Sequence, residues 1–186
     1  VYMGALIDDL HLACRLQEGA DPVRGDPRVD LSAVVDRLAR RFAALGRTRG
    51  IEVHGARPDG PVLARCNPSM AEQAIANLVH NAVAHGEPGG HVALLLEETG
   101  AEFCLTVVDD GPGVPPADLP RIGERTFRSD EARQRDPKGS GLGLAIAGEV
   151  CRRAGFTLEF AREQPRGLRA TISGPRAGST TPPHSS

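Results

Sequence analysis

Apolar residues recur at helical spacing in four places along the chain. Leu6, Ile7, Leu10, Ala13 and Cys14 predict a helix over residues 1–19, stopped near Gly19. A second is predicted from Leu31 to Arg47, with Val34, Val35, Leu38, Phe42 and Leu45 on one face. Asn67-Pro68-Ser69 opens a third, with Ser69 as its cap and Glu72 three residues on, and it runs to about His85. Leu142–Arg153 is the last, ended by Gly155. Short apolar runs between them predict strands at Ile51–His54 and Val62–Cys66. A hairpin of His91–Glu98 and Glu102–Val108 turns at Thr99-Gly100-Ala101, and Thr157–Ala161 and Arg169–Ser173 close the pattern.

The stretches without periodicity divide the chain. Gly19–Pro27 holds two Pro and two Gly in nine residues, so residues 20–30 read as a linker. Residues 109–139 are rich in Gly, Pro and charge, and a loop that long in a compact domain is usually functional. Residues 175–186 form a Pro/Ser/Thr tail with the composition of disorder. Helix, strand, strand, helix, strand, strand, loop, helix, strand, strand is not the alternation of a doubly wound parallel sheet. It predicts an α+β fold: a two-layer sandwich whose mixed, mostly antiparallel sheet carries its helices on one face.

Composition narrows the function classes. The 186 residues allow one compact domain and a flanking element. With no Trp, one Tyr and five Phe, the core must come from Leu, Val, Ile and Ala. Acidic and basic residues number 24 and 22, a net charge of −2 that gives no support to nucleic-acid binding. The longest strongly apolar run is Val92–Leu96, far short of a membrane span, and no signal peptide is visible. A cytoplasmic location is therefore expected for this segment. The first residue is Val, so the sequence is expected to be a piece of a longer protein, and any membrane anchor of the parent lies outside it. Cys14, Cys66, Cys104 and Cys151 are far apart with no Cys-x-x-Cys pair, which favours buried free thiols over a metal site.

Three segments carry chemistry. In Ala74–His85 the residues Ile75, Leu78, Val79 and Ala82 make the buried stripe, while Asn77, Asn81 and His85 stand four apart on a polar one. Asn is unfavourable inside helices because its amide competes for backbone groups. Its oxygen suits Mg²⁺, although a solvated face would look the same in isolation. The second segment, Leu105–Val114, is a strand ending in Asp109, Asp110 and a Gly111-Pro112-Gly113 turn. A carboxylate at a strand end can accept from an exocyclic amine while glycines let backbone approach a flat ring; a plain acidic turn is the alternative. The third, Lys138-Gly-Ser-Gly-Leu-Gly-Leu-Ala145, runs a glycine-rich turn into a helix start, where unpaired N–H groups bind anions. It is not a Walker loop, since no Gly-Lys-Ser/Thr follows at the right spacing, and not a dinucleotide fingerprint, since position 144 is Leu.

In this order the three segments resemble the ATPase domain shared by histidine kinases, DNA gyrase, the chaperone Hsp90 and MutL. The Asn helix looks like the family's N box, Asp109–Gly113 like its first glycine box and Gly139–Gly143 like its second. The resemblance covers residues 31–174. It implies that Asp109 takes the adenine amine beside Gly111 and Gly113, that Asn81 coordinates Mg²⁺, and that Asn77 supports the same region. It also implies that Ser140, Gly141, Leu142 and Gly143 hold the phosphates of ATP, and that residues 114–138 form a long ATP lid. In the gyrase and Hsp90 branches a Glu four residues before the metal-binding Asn activates water. Asn77 stands there and is no general base, which favours the kinase branch.

Residues 1–19 resemble the end of the dimerisation and phosphoacceptor helix of a sensor histidine kinase. The resemblance then implies a homodimeric parent that passes the γ-phosphoryl group of ATP to a His on that dimerisation domain and on to a response regulator. The acceptor box itself is absent from these residues: His11, His54, His80, His85, His91 and His184 all lack its context. The lid's usual Phe-x-x-Phe-Tyr-Arg maps onto Gly123–Arg128, which keeps Phe127 and the candidate catalytic Arg128 but loses two aromatics. Ala84 stands where many relatives carry a cation near the phosphates, and Arg128, Arg133 or Lys138 are the candidates to replace it. These departures leave a second reading open, a nucleotide-sensing or degenerate regulatory module without kinase activity.

Overall fold

Helices cover one face of a five-stranded sheet in the computed structural model, which describes residues 26–124 and 141–178. The strands are β1 (Arg28–Asp30), β2 (Glu52–Ala56), β3 (Leu63–Arg65), β4 (His91–Thr99), β5 (Glu102–Asp109), β6 (Thr157–Arg162) and β7 (Leu168–Pro175). The helices are α1 (Leu31–Arg49), α2 (Pro68–His85) and α3 (Gly143–Ala154). The main sheet runs β2-β4-β5-β7-β6, parallel only between β2 and β4, and β1 pairs with β3 in a small antiparallel sheet. This is the α+β sandwich that the element order predicts. The helix expected over 1–19 lies outside the described residues.

Period-two alternation builds the covered face. Val92, Leu94 and Leu96 of β4, Phe103, Leu105 and Val107 of β5, and Ala170 and Ile172 of β7 are all buried. Register sets Leu96 beside Leu105 and Leu105 beside Ile172, so one apolar row crosses three strands. Against it pack the apolar stripes of α1 (Val34, Val35, Leu38, Phe42), α2 (Ile75, Leu78, Val79, Ala82) and α3 (Ile146, Ala147, Val150, Cys151). Each large side chain so buried contributes roughly 1.5–3 kcal/mol. Phe156 closes one end, edge-on to Phe103 with ring centroids 5.0 Å apart, and it fits because Gly174 has no side chain. A methyl group on Gly174 would come 2.5 Å from the Phe156 ring.

Cys66 and Cys151 flank an apolar void of about 20 Å³ between these layers, and burial raises both thiol pKa values, that of Cys151 to about 12. Both are free thiols, as is the half-buried Cys104. Among the described residues, no helix is long and apolar enough to cross a membrane.

Several local expectations change. Asn67, not Ser69, caps α2: its side chain accepts from the Ser69 and Met70 N–H groups, and Pro68 occupies the first turn where no N–H is needed. The last three residues of the expected linker form β1 instead, paired with Leu63–Arg65. The tail does not come loose at 175. Pro175 ends β7, the Arg176 N–H donates to the Ala101 carbonyl at 2.8 Å, and the Ala177 N–H to that of Leu63 at 2.6 Å. The described start of the long loop is also docked: it makes a 3₁₀ turn at Leu119–Arg121 and buries Ile122 beside β6. Residues 125–140 and 179–186 lie outside the description.

Candidate nucleotide site

Helix α2 gathers the three sequence segments. Near its middle Asn77 faces the start of α3: a methyl group on Gly143 would stand 3.6 Å from Asn77 Cβ and Cγ. At its C-terminal end, a methyl group on Gly111 would lie 3.4 Å from the His85 carbonyl oxygen and 3.6 Å from Gly86 Cα. Both glycine segments therefore abut the Asn helix, one at each end of its polar stripe, where Asn81 and His85 are half-buried. Asn77 Nδ2 is buried and has no hydrogen-bond partner. A buried amide N–H without a partner costs roughly 1–3 kcal/mol, so a polar group brought to it would be stabilised there.

The start of α3 differs from the other two helix starts. Asp30 caps α1 through the N–H groups of Ser32 and Ala33, and Asn67 caps α2, but among the described residues no side chain caps α3, whose N-cap residue is Leu142. The Ile146 N–H makes the first return bond, to the Leu142 carbonyl at 2.8 Å. The N–H groups of Gly143, Leu144 and Ala145 point out of the helix start with no partner within it, the arrangement that binds anions. Gly141, with φ of 66°, turns the chain into this start as only glycine does without strain.

Asp109, the last residue of β5, is buried at 7% exposure. Its Oδ1 accepts from the Gly111 N–H at 3.0 Å and the Leu168 N–H at 3.3 Å. Burial pushes its carboxyl up to about 6, with Asp110 and Glu163 adding to the rise against the pull of the two N–H donors. Glycines wall this corner. A methyl group on Gly111 would sit 2.9 Å from Asp109 Oδ1, and one on Gly113, at φ 73°, would meet the Gly167 carbonyl oxygen at 2.7 Å. One on Gly167, at φ 119°, would overlap the Asp109 carbonyl oxygen.

Sequence reasoning missed Gly167 and Leu168, because Arg166-Gly167 in an irregular stretch gives no sign that it touches Asp109. It also passed over His91, whose ring Nδ1 stands 3.0 Å from Asp110 Oδ2. That contact raises the His91 pKa. For Asp110, burial works upward, but the His91 N–H, ring and charge outweigh it and hold the carboxyl below its ordinary range. Ser140 and Arg128 lie outside the described residues. Among the described residues, no group of three His, Cys, Asp or Glu side chains is placed to hold a metal ion.

Residues 66–178, more than half of the chain, match the family described as histidine kinase-, DNA gyrase B- and HSP90-like ATPase. The chain belongs to this ATPase family. Its relatives include the sensor-like histidine kinase SenX3 of Mycobacterium tuberculosis, 33% identical over 175 residues, covering 93% of this chain and 42% of that protein. The sensor histidine kinase CpxA of Escherichia coli is 36% identical over 115 residues, 62% of this chain and 24% of that protein. The chain thus spans less than half the length of these curated relatives. Among solved structures, the mycobacterial sensor histidine kinase MprB superposes with a TM-score of 0.69 at 31% identity, over 82% of this chain and 98% of that one. Full-length ShkA in complex with AMPPNP gives a TM-score of 0.76 at 26% identity, over 96% of this chain and 36% of that one.

Proposed function

We propose that this ATPase-family domain binds ATP with Mg²⁺ and transfers the γ-phosphoryl group to a histidine of a dimerisation domain in the same, longer protein. The observation that carries the reading is the meeting at α2 of an orphaned buried amide (Asn77), an uncapped helix start (Gly143) and a glycine-walled carboxylate (Asp109). Both hydrogen bonds to Asp109 fall on Oδ1, so Oδ2 is the oxygen that would accept the adenine amine. Gly111 and Gly113 let the turn pack closely against Asp109 and Gly167, which fixes the backbone around that carboxylate. The α3 start, with Gly141, Leu142, Gly143 and the preceding Ser140, would receive phosphate oxygens on N–H groups. Asn81 would supply an amide oxygen to Mg²⁺, with Asn77 beside it. Bound there, Mg²⁺ would neutralise charge on the phosphate oxygens.

No residue of α2 on this polar stripe is a carboxylate that could activate water. The site is suited to positioning: it holds the nucleotide while the attacking group arrives from elsewhere. In the reaction a P–N bond forms to an imidazole nitrogen as the bond to the β-phosphate oxygen breaks. Arg128 is the proposed cation from the lid, in place of the one that Ala84 does not provide. Residues 1–19 are proposed as the end of the phosphoacceptor helix, 20–27 as the connection and 28–177 as the catalytic domain of a homodimeric cytoplasmic kinase region serving a response regulator.

The test mixes this chain with the dimerisation domain of its parent and labelled ATP, with detection at neutral or alkaline pH because phosphohistidine is acid-labile. Alone, the chain should label little. With the acceptor domain it should produce phosphohistidine slowly, and Asn81→Ala should abolish labelling in Mg²⁺. Tight nucleotide binding without phosphohistidine would favour the regulatory module instead.

A further inference from the structure

Asp110 follows the carboxylate proposed to read the base, and His91, the first residue of β4, clasps it with three contacts. The His91 N–H donates to Asp110 Oδ1 at 2.8 Å, the Asp110 N–H donates to the His91 carbonyl at 3.3 Å, and ring Nδ1 stands 3.0 Å from Oδ2. Gly90 makes room for this, since a methyl group there would come 2.7 Å from Asp110 Oδ1. The β4–β5 ladder ends with Val92 opposite Asp109. The clasp extends that hold one residue past the ladder, at the point where the chain turns into Gly111. On the opposite side Gly167 packs so closely that a methyl group there would overlap the Asp109 carbonyl oxygen and come 3.2 Å from Asp110 Cα. At the far edge of the ring, Nε2 lies 3.9 Å from Glu52 Oε2, beyond hydrogen-bond reach, and His54 Nε2 approaches the same oxygen at 3.3 Å.

We propose that His91 is a positioning residue for base recognition: by clasping Asp110 it holds the neighbouring Asp109 carboxylate in the orientation that accepts an exocyclic amine. This role rests on Asp109 receiving the base. A pair this exposed adds little to global stability, so its removal should act on the local turn rather than on the fold. The effect is confined to ligands that use the carboxylate. Inosine triphosphate carries a carbonyl oxygen in place of the adenine amine, so it has no hydrogen bond to an acceptor-only carboxylate to lose there, and its affinity should not fall when His91 is removed.

The experiment measures the affinities of ATP and inosine triphosphate, each with Mg²⁺, for the full chain and for His91→Ala, His91→Asn and Asp109→Asn, with thermal melts of all four. His91→Ala should weaken ATP about three- to tenfold, the scale of one ordinary hydrogen bond, without weakening inosine triphosphate. His91→Asn should recover most of the ATP affinity, because its amide nitrogen reaches Asp110 from nearly the place of Nδ1. If Asp109→Asn collapses the preference for ATP while His91→Ala leaves it intact, or weakens both nucleotides alike, the role of His91 is overturned. If the wild-type chain shows no preference for ATP over inosine triphosphate, the assignment of Asp109 to the base fails, and His91 with it.

Discussion

Gly143, the first residue of α3, lies against the side chain of Asn77 in α2, so the uncapped helix start and the orphaned buried amide share one corner of the domain. Each is unfavourable for an empty fold. Together they make sense as two halves of a polar site that a ligand completes.

Asn77→Ala removes the unpartnered N–H and replaces a poor helix former with the best one. The nucleotide-free domain is expected to be as stable as wild type or up to about 2 kcal/mol more stable. ATP affinity should fall about tenfold or more. Thermal melts with and without MgATP read both quantities, and a variant that melts lower when empty yet binds normally would make Asn77 a packing residue.

Asp109 ionises near 3.8 in the unfolded chain and at about 6 in the fold. Between those values the folded state holds the extra proton. Its contribution to stability is therefore full below about pH 4 and is lost as pH rises through 6, by on the order of 3 kcal/mol. Asp109→Asn should match wild type in urea unfolding near pH 4 and exceed it near pH 7.5. Nucleotide affinity should show the opposite trend. Wild-type binding should weaken as pH falls below about 6, relative to a variant already weak at every pH. Parallel stability curves for the two proteins would mean that the carboxylate is not desolvated.

Gly167→Ala should be severe, because the new methyl group would overlap the Asp109 carbonyl oxygen and would also have to adopt φ 119°. A loss of about 3 kcal/mol or more is expected, with loss of nucleotide binding. Gly89→Ala is the control: at φ 86° with nothing within 4 Å, it should cost only about 1 kcal/mol of backbone strain. Equal costs at the two positions in chemical unfolding would show that the Gly167 turn gives way easily.

Local signals were sufficient for most of the architecture. The stripes of α1, α2 and α3 and the alternation in β4 and β5 depend on residues a few positions apart, so periodicity carries them. The Asn pair of α2, Asp109 and the glycine run before α3 were legible for a related reason. Each is a residue type that its own element disfavours or that turns and close approaches need. Competing local signals produced the one capping error. Asn67 and Ser69 both make good caps, and only the placement of Pro68 in the first turn decides between them.

What the sequence could not show is whatever depends on partners far along the chain. Arg28–Asp30 becomes a strand because Leu63–Arg65 comes alongside, and Arg176 and Ala177 are held because Ala101 and Leu63 offer carbonyls. The second donor to Asp109 comes from Leu168, and His91 reaches Asp110 through the register of β4 on β5. The chain by itself determined the elements and the motifs, since these are written in spacing and residue type, and the type of chemistry followed from the family resemblance that those motifs carry. The tertiary structure alone decided which glycines wall the carboxylate, which amide is left without a partner and which histidine braces the turn. Burial and contact between distant segments create those properties, and no local pattern encodes them.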